Sequence, residues 1–324
     1  MIDGRIGRRV ATRALGVSPV ARAVRAIGRG RGHRLALVYH RIAVLDPGAV
    51  EIVPTVNPDV FRRQVAALAE VADVVDLGAI GPSGPPAGDG MGLRPRIALT
   101  FDDDLTTHAS EVAPALGSAD VTATFFLSGR ALVGEGAYWF QELEALVEAY
   151  GTARVAEELT MPGADAGALA RAAERDGERR RRIGSMAADV DEPPVLGRDG
   201  IAALGDAGMG VGFHTVEHVP LPMLEDVDLT GALRRGRSEL AATTGRPIDR
   251  FAYPHGTVDA RSRAAVRREG FATAWTGSGT AVRRSDDAFA LGRWEPGPLA
   301  VDDFLVKLAV RLHRRAVHQR GGQA

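Results

Sequence analysis

Three consecutive acids, Asp102, Asp103 and Asp104, follow directly on the apolar run 97–101 in RIALTFDDDL. Like charges crowded at the end of a buried strand repel each other, and a bound cation offsets that repulsion by stabilising ionised oxygen ligands. One Asp there would read as a cap on loop N–H groups; three in a row favour a cation. Further along, GFHTVEH sets His214 and His218 four apart. In a helical turn that spacing puts two side chains on one face, aiming two neutral imidazoles at one point. The zinc-protease pattern H-E-x-x-H fails, because Thr215 stands where its catalytic Glu belongs. One carboxylate with two imidazoles leaves coordination positions open for water and substrate. That suits catalytic zinc and equally the non-haem iron oxygenases, so ligand types alone do not choose.

Elements that alternate between strand and helix must position these residues. Short apolar or β-branched runs lie at 35–40, 73–77, 96–101, 122–127, 209–215, 250–254 and 273–276. Helical stretches separate them, which is the pattern of a parallel α/β architecture and suggests a barrel, open or closed. Asn57 and Pro58 read as the N-cap and first residue of a helix with Phe61, Val65 and Leu68 on its apolar stripe. A second helix is expected over LTGALRRGRSELAATTG, ending on Gly245. Residues 131–200 are helix-rich and read as an insertion or cap rather than an independent domain. In such sheets, ligand-binding residues gather at the C-terminal ends of strands, where Asp102 and Asp103 fall. The stretch RFAYPHG, 250–256, is either a strand ended by Pro254 with a turn at Gly256, or a backbone N–H and an aromatic wall offered to a bound sugar.

Composition bounds the function class. The chain has 324 residues, 45% of them hydrophobic, ample for a real core. Its 40 basic against 41 acidic residues argue against a nucleic-acid binder, which usually carries a basic excess. Without cysteine there is neither a disulfide framework nor a thiolate metal site. The charge is uneven: residues 1–34 hold nine Arg and one acid, and the last twenty residues are again basic. These ends read either as solvated helices or as a peripheral contact with an anionic membrane face. Arginines interrupt every candidate signal-peptide core, and no apolar run reaches the roughly 20 residues a bilayer span needs. The expected address is cytoplasmic, with the inner membrane face as a resting place. The expected division is a basic segment 1–32, a catalytic body 33–300 containing the insertion, and a basic helix and tail 301–324.

LTFDDD, FHTVEH and FAYPHG, in that order, resemble the polysaccharide deacetylase family, whose pattern is T-F-D-D-G, then H-[ST]-x-x-H, then a Pro-containing strand end followed by Gly. The resemblance implies a distorted seven-stranded (β/α) barrel and metal-dependent hydrolysis of an N-acetyl, sometimes O-acetyl, group on a sugar, with zinc the expected divalent ion. Carried across, Asp102 is the general base, Asp103 the metal-binding carboxylate, and His214 and His218 the imidazole ligands. Adjacent strand residues face opposite ways, so the backbone is expected to leave β geometry between Asp102 and Asp103. Asp104 replaces the usual Gly, and Asp tolerates the left-handed region that a Gly there would occupy. Better-known members carry R-P-P-Y-G at the third motif and L-x-H at the end. Here Ala252 takes that Arg position, His255 the Tyr position, and Arg293 stands in place of the acid His. The branch that deacetylates poly-β-1,6-N-acetylglucosamine offers a repair, an early Y-H strand whose His is the acid. LALVYHRI matches it and nominates His40. Arg293 is then expected to touch substrate or orient Asp102, His255 to offer its backbone N–H to an oxyanion, and Tyr253 and Trp275 to line the sugar site. The other readings are a sugar-binding protein that keeps the metal site without catalysis, and a hydrolase of cyclic amides or ureides.

Overall fold

The computed structural model describes residues 33–84 and 94–313; the basic segment 1–32 and the tail beyond His313 lie outside them. Among the described residues ten strands form, in chain order β1 Arg34–Tyr39, β2 Arg41–Ile42, β3 Thr55–Val56, β4 Asp73–Val74, β5 Arg96–Asp102, β6 Thr124–Leu127, β7 Gly210–Phe213, β8 Arg250–Ala252, β9 Thr273–Thr276 and β10 Leu291–Trp294. All pairings between them are parallel; eight strands run in the order β1-β10-β9-β8-β7-β6-β5-β4, and β2 pairs with β3 in a separate two-stranded sheet. A further β1–β5 ladder, running from Arg34 opposite Arg96 to Tyr39 opposite Phe101, closes seven of these strands into a barrel.

The membership of the ring departs from expectation. The run at 73–77 yields only the short β4, which pairs outside the ring on β5. The seventh stave is β10, whose sequence LGRW has no apolar run to announce it. Its register, Ala36 opposite Arg293 and Leu291 opposite Trp275, is set by neighbours distant in the chain.

Alternation along each strand divides inside from outside. Leu35, Leu37, Tyr39, Leu99, Phe101, Phe125, Phe213, Phe251 and Tyr253 belong to the core between barrel and helices. Ala36, Ala98, Phe126, Ala252, Trp275 and Leu291 fill the barrel itself. Small residues make room there: a Cβ on Gly212 would lie 2.5 Å from the Phe126 ring. The same alternation carried one step past the core brings His40, Asp102, His214 and Arg293 to the barrel mouth.

The first helix, α1 Pro58–Val71, starts as its sequence requires, with the Asn57 carboxamide accepting from Asp59 N. The helix expected to end at Gly245 is two, Asp226–Arg234 and Arg237–Thr244, broken at Gly236 with φ 85°. A Cβ on Gly236 would meet the Ser128 carbonyl at 2.6 Å, so the break also admits a close approach to the barrel. The insertion folds into four helices, Trp139–Tyr150, Thr152–Glu158, Ala166–Glu174 and Gly177–Ala187. These bury a small core of their own around Leu143, Leu146, Val155, Leu169 and Ile183. The chain described last is the helix Val301–His313. Among the described residues no helix is long and apolar enough to cross a membrane.

Candidate metal centre

β5 ends at Asp102, and Asp103 takes φ 72°, so the two carboxylates leave strand alternation and turn into one pocket. The left-handed residue is Asp103, not Asp104. Asp104 instead accepts hydrogen bonds from Ser128 N at 2.7 Å, Ser128 Oγ at 2.8 Å and Arg130 N at 2.9 Å, tying the loop after β6 to the acidic turn. Behind Asp102, the buried ring of His108 sits 2.9 Å from the Asp102 carbonyl through Nε2. Burial lowers the His108 pKa to about 4, so the ring is a neutral donor that fixes the strand end.

His214 and His218 converge on the same pocket, though not from a helix. Thr215 and His218 have φ of 61° and 49°, and this bent loop, rather than a helical turn, brings the two ring centroids to 5.0 Å. His214 donates from Nδ1 to the Ala252 carbonyl at 2.8 Å, which turns the Nε2 lone pair toward Asp103. The Nε2 atoms of His214 and His218 lie 3.8 Å and 3.3 Å from Asp103 Oδ1. One ligand atom from each of Asp103, His214 and His218 falls within 4.8 Å of the others, and all three residues are buried.

The electrostatics of the adjacent acids differ sharply. Burial pushes Asp102 up, but the Arg293 guanidinium, reinforced by His214, outweighs it and holds the carboxyl down to about 2. Burial also pushes Asp103 up, and repulsion from Asp102 and Asp104 adds to it, raising that carboxyl to about 7. Asp103 Oδ1 is buried with no hydrogen-bond partner, as is His218 Nδ1. Burial likewise lowers His214 to about 4 and His218 well below its ordinary value, so both imidazoles are neutral near pH 7. A buried carboxyl with an unpaired oxygen, costly to ionise and set beside two neutral imidazoles, fits a divalent cation.

Three further groups complete the mouth. Arg293, buried in the barrel over the Phe126 ring, forks onto Asp102 with bonds of 2.5 Å and 2.7 Å. His40 pairs through Nδ1 with Glu295 Oε1 at 3.0 Å. Burial opposes its charge, but Glu295, Asp103 and Asp102 outweigh that and raise His40 to about 9. His255, at φ 57°, sits between the Glu174 carboxylate and the His218 carbonyl, each at 3.3 Å. These residues line a cavity of about 460 Å³ with Trp139, Phe140 and Glu174 of the insertion.

Two expected site residues are elsewhere. Tyr253 follows inward-facing Ala252, so alternation turns it outward into the core, where its hydroxyl donates to the Phe289 carbonyl at 2.9 Å. Trp275 lies deeper inside the barrel, 1% exposed, bonded through Nε1 to Thr273. Glu295, Glu174 and His108 escaped sequence reasoning. None of the three carried a local signal; Glu295 follows β10, a strand that the sequence did not announce.

A closed parallel barrel with an Asp-His-His cluster at the C-terminal mouth, and a second carboxylate beside it, defines a metal-dependent hydrolase site. The polysaccharide deacetylase profile matches residues 90–274, more than half of the chain. The chain belongs to the polysaccharide deacetylase family and is a metal-dependent carbohydrate deacetylase. No curated protein sequence matches it significantly. Among solved structures, the deacetylase PplD of Streptococcus pyogenes, in complex with acetate, is 16% identical with a TM-score of 0.58, over 85% of this chain and 97% of that one. IcaB from Ammonifex degensii is 18% identical with a TM-score of 0.55, over 88% and 98%. A polysaccharide deacetylase of Bacillus cereus is 16% identical with a TM-score of 0.55, over 86% and 69%. At these identities the likeness concerns the fold.

Proposed function

We propose that this protein hydrolyses N-acetyl groups on a sugar, with Asp103, His214 and His218 holding zinc, Asp102 as general base and His40 as general acid. The observation that carries the proposal is the division of labour between adjacent carboxylates: Arg293 engages both oxygens of Asp102, while Asp103 Oδ1 faces the two imidazoles. The cation supplies positive charge to the acetyl carbonyl and lowers the pKa of water toward about 7.

Asp102, ionised at neutral pH, takes a proton from the attacking water as the new C–O bond forms at the acetyl carbon. The turn at His255 offers its backbone N–H to the developing oxyanion. Protonated His40 gives its proton to the amide nitrogen as the C–N bond breaks, releasing acetate and an amine. An amide nitrogen leaves poorly without that proton, and an imidazole with its pKa near 9 is charged at pH 7.

The two departures from the better-known motifs compensate each other. The side chain at the usual acid position, Arg293, does the orienting, and the acid comes from β1. That pairing disfavours a merely sugar-binding role. The test is acetate release from N-acetylhexosamine oligomers by protein stripped with a chelator and then reloaded with zinc. Zinc at one equivalent with restored turnover supports the proposal. Turnover unaffected by chelation, or ring opening of cyclic ureides in preference to deacetylation, overturns it.

A further inference from the structure

The insertion lines one side of the cavity, and on the other side a second hollow shares lining residues with it. In the ring of seven strands, β7 and β8 lie across from β1. The insertion helix Ala166–Glu174 docks on that far side, where Glu174 meets His255 at the turn after β8. Ala170, Arg171 and Glu174 thereby form a wall of the cavity.

Arg180 braces the end of this helix by donating to the carbonyls of Ala173 and Glu174 at 2.9 Å and 2.8 Å. On the near side, a second hollow of about 210 Å³ shares His40, Pro54 and Glu295 with the cavity and runs on over Glu51, Pro296 and Pro298. Its course is fixed from below. Gln64, fully buried, donates to the carbonyls of Gly297 and Leu299 and accepts from Tyr39. The outward path is therefore tied to the strand that carries His40.

We propose, building on the deacetylase reading, that the reacting sugar is the terminal unit of its glycan. The rest of the glycan leaves in one direction only, over Glu295 and Pro296–Pro298. A polymer lying across the mouth would have to pass through the wall at Ala170–Glu174. The volume agrees: about 460 Å³ is toward the lower end of ligand pockets of roughly 300–1,000 Å³ and suits a compact unit.

Calorimetric titration of the zinc-loaded Asp102→Asn protein reads this without needing turnover. The ligands are N-acetylglucosamine oligomers of increasing length, and the longest is also prepared with a bulky fluorophore on one end or on the other. Affinity is expected to rise over the first added units and then level off. One end-label is expected to weaken binding at least tenfold while the other is tolerated. Pro298→Trp, an exposed substitution in the second hollow, is expected to bring the ratio of trimer to monomer affinity close to one. Equal binding of both end-labelled forms overturns the terminal-unit assignment, as does binding of no oligomer. End-selective binding without acetate release by the wild-type protein leaves the assignment standing and removes the deacetylase reading.

Discussion

Arg293 on β10 reaches across β1 to β5 and grips Asp102 through both terminal guanidinium nitrogens, Nη1 to Oδ1 and Nη2 to Oδ2. Such a bidentate fork fixes the carboxylate plane as well as its charge. Removing the guanidinium leaves Asp102 buried without its main counter-charge, so its pKa rises from about 2. A general base must be deprotonated, and activity is lost as pH falls through its pKa. Arg293→Met is therefore expected to bring an acid limb into the accessible pH range and to lower kcat/KM at pH 7 by roughly 100-fold. Rates measured from pH 5 to pH 9 on both proteins decide it, and an unchanged acid limb would show that Arg293 does not govern the base.

His40 and Glu295 set the other limb. The acid must be protonated, so activity falls as pH rises through the His40 pKa, which stands at about 9 with Glu295 present. Glu295→Gln keeps an acceptor beside Nδ1 but removes the charge, leaving burial to pull His40 down. The alkaline limb of kcat/KM is expected to move to lower pH, while bound zinc stays at one equivalent. His40→Ala is expected to lower kcat by roughly 10²–10⁴-fold with the metal retained. Wild-type turnover by His40→Ala would remove His40 from the mechanism.

What the sequence announced and what it withheld follow from the range of the interactions involved. Asp102, Asp103 and His214 directly follow apolar strand runs and His218 stands four residues after His214, so their place near strand ends could be read locally. His40 was legible only through its Y-H context. The closing strand β10 was not legible, because an Arg in a four-residue strand looks like a solvent-facing loop until Asp102 and the Phe126 ring face it inside the barrel. Alternation past Ala252 would have placed Tyr253 in the core had β8 been known to end its inward face there. Of the left-handed conformations at Asp103, Thr215, His218 and His255, only the departure from β geometry at Asp103 was expected; Asp and His adopt that region more readily than most residues but do not mark it as Gly would. The packed site over-determines each of them.

Asp103 gives a prediction opposite in sign to the usual loss on mutating a buried charge. Its folded pKa without cation, about 7, lies above its unfolded value of 3.8, so the folded state binds the extra proton. The stability of chelated protein should then fall as pH rises from about 4 to about 7. Asn at this position tolerates φ 72° and carries no charge. Asp103→Asn is expected to raise the Tm of metal-free protein at pH 8 by at least about 2 °C, while abolishing the further rise that zinc gives the wild type. Thermal melts of both proteins, with chelator and with zinc, check it. A metal-free variant that melts below the wild type would mean Asp103 is satisfied without a cation.

Glu144 is the joint between the insertion and the mouth. Its carboxylate accepts from Arg41 Nη1 at 2.7 Å and Nη2 at 2.9 Å, and from the backbone N–H groups of Ile52 and Val53 at 2.7 Å and 2.9 Å. The segment Ile52–Pro54 lines the cavity, so this hub sets the position of one wall. Arg41 and Glu144 are largely shielded, with side-chain exposures of 18% and 12%. Glu144→Ala leaves a part-buried guanidinium and two amides without their acceptor, a loss on the order of 3 kcal/mol. Because the wall touches substrate rather than the reacting atoms, KM is expected to rise several-fold with kcat changed much less. Hydrogen exchange supplies the structural readout: the amides of Ile52 and Val53 should lose protection by more than tenfold, while those of β5 and β6 keep theirs. Unaltered protection at both amides, or a fall in kcat with KM constant, would show that the wall is held by other contacts.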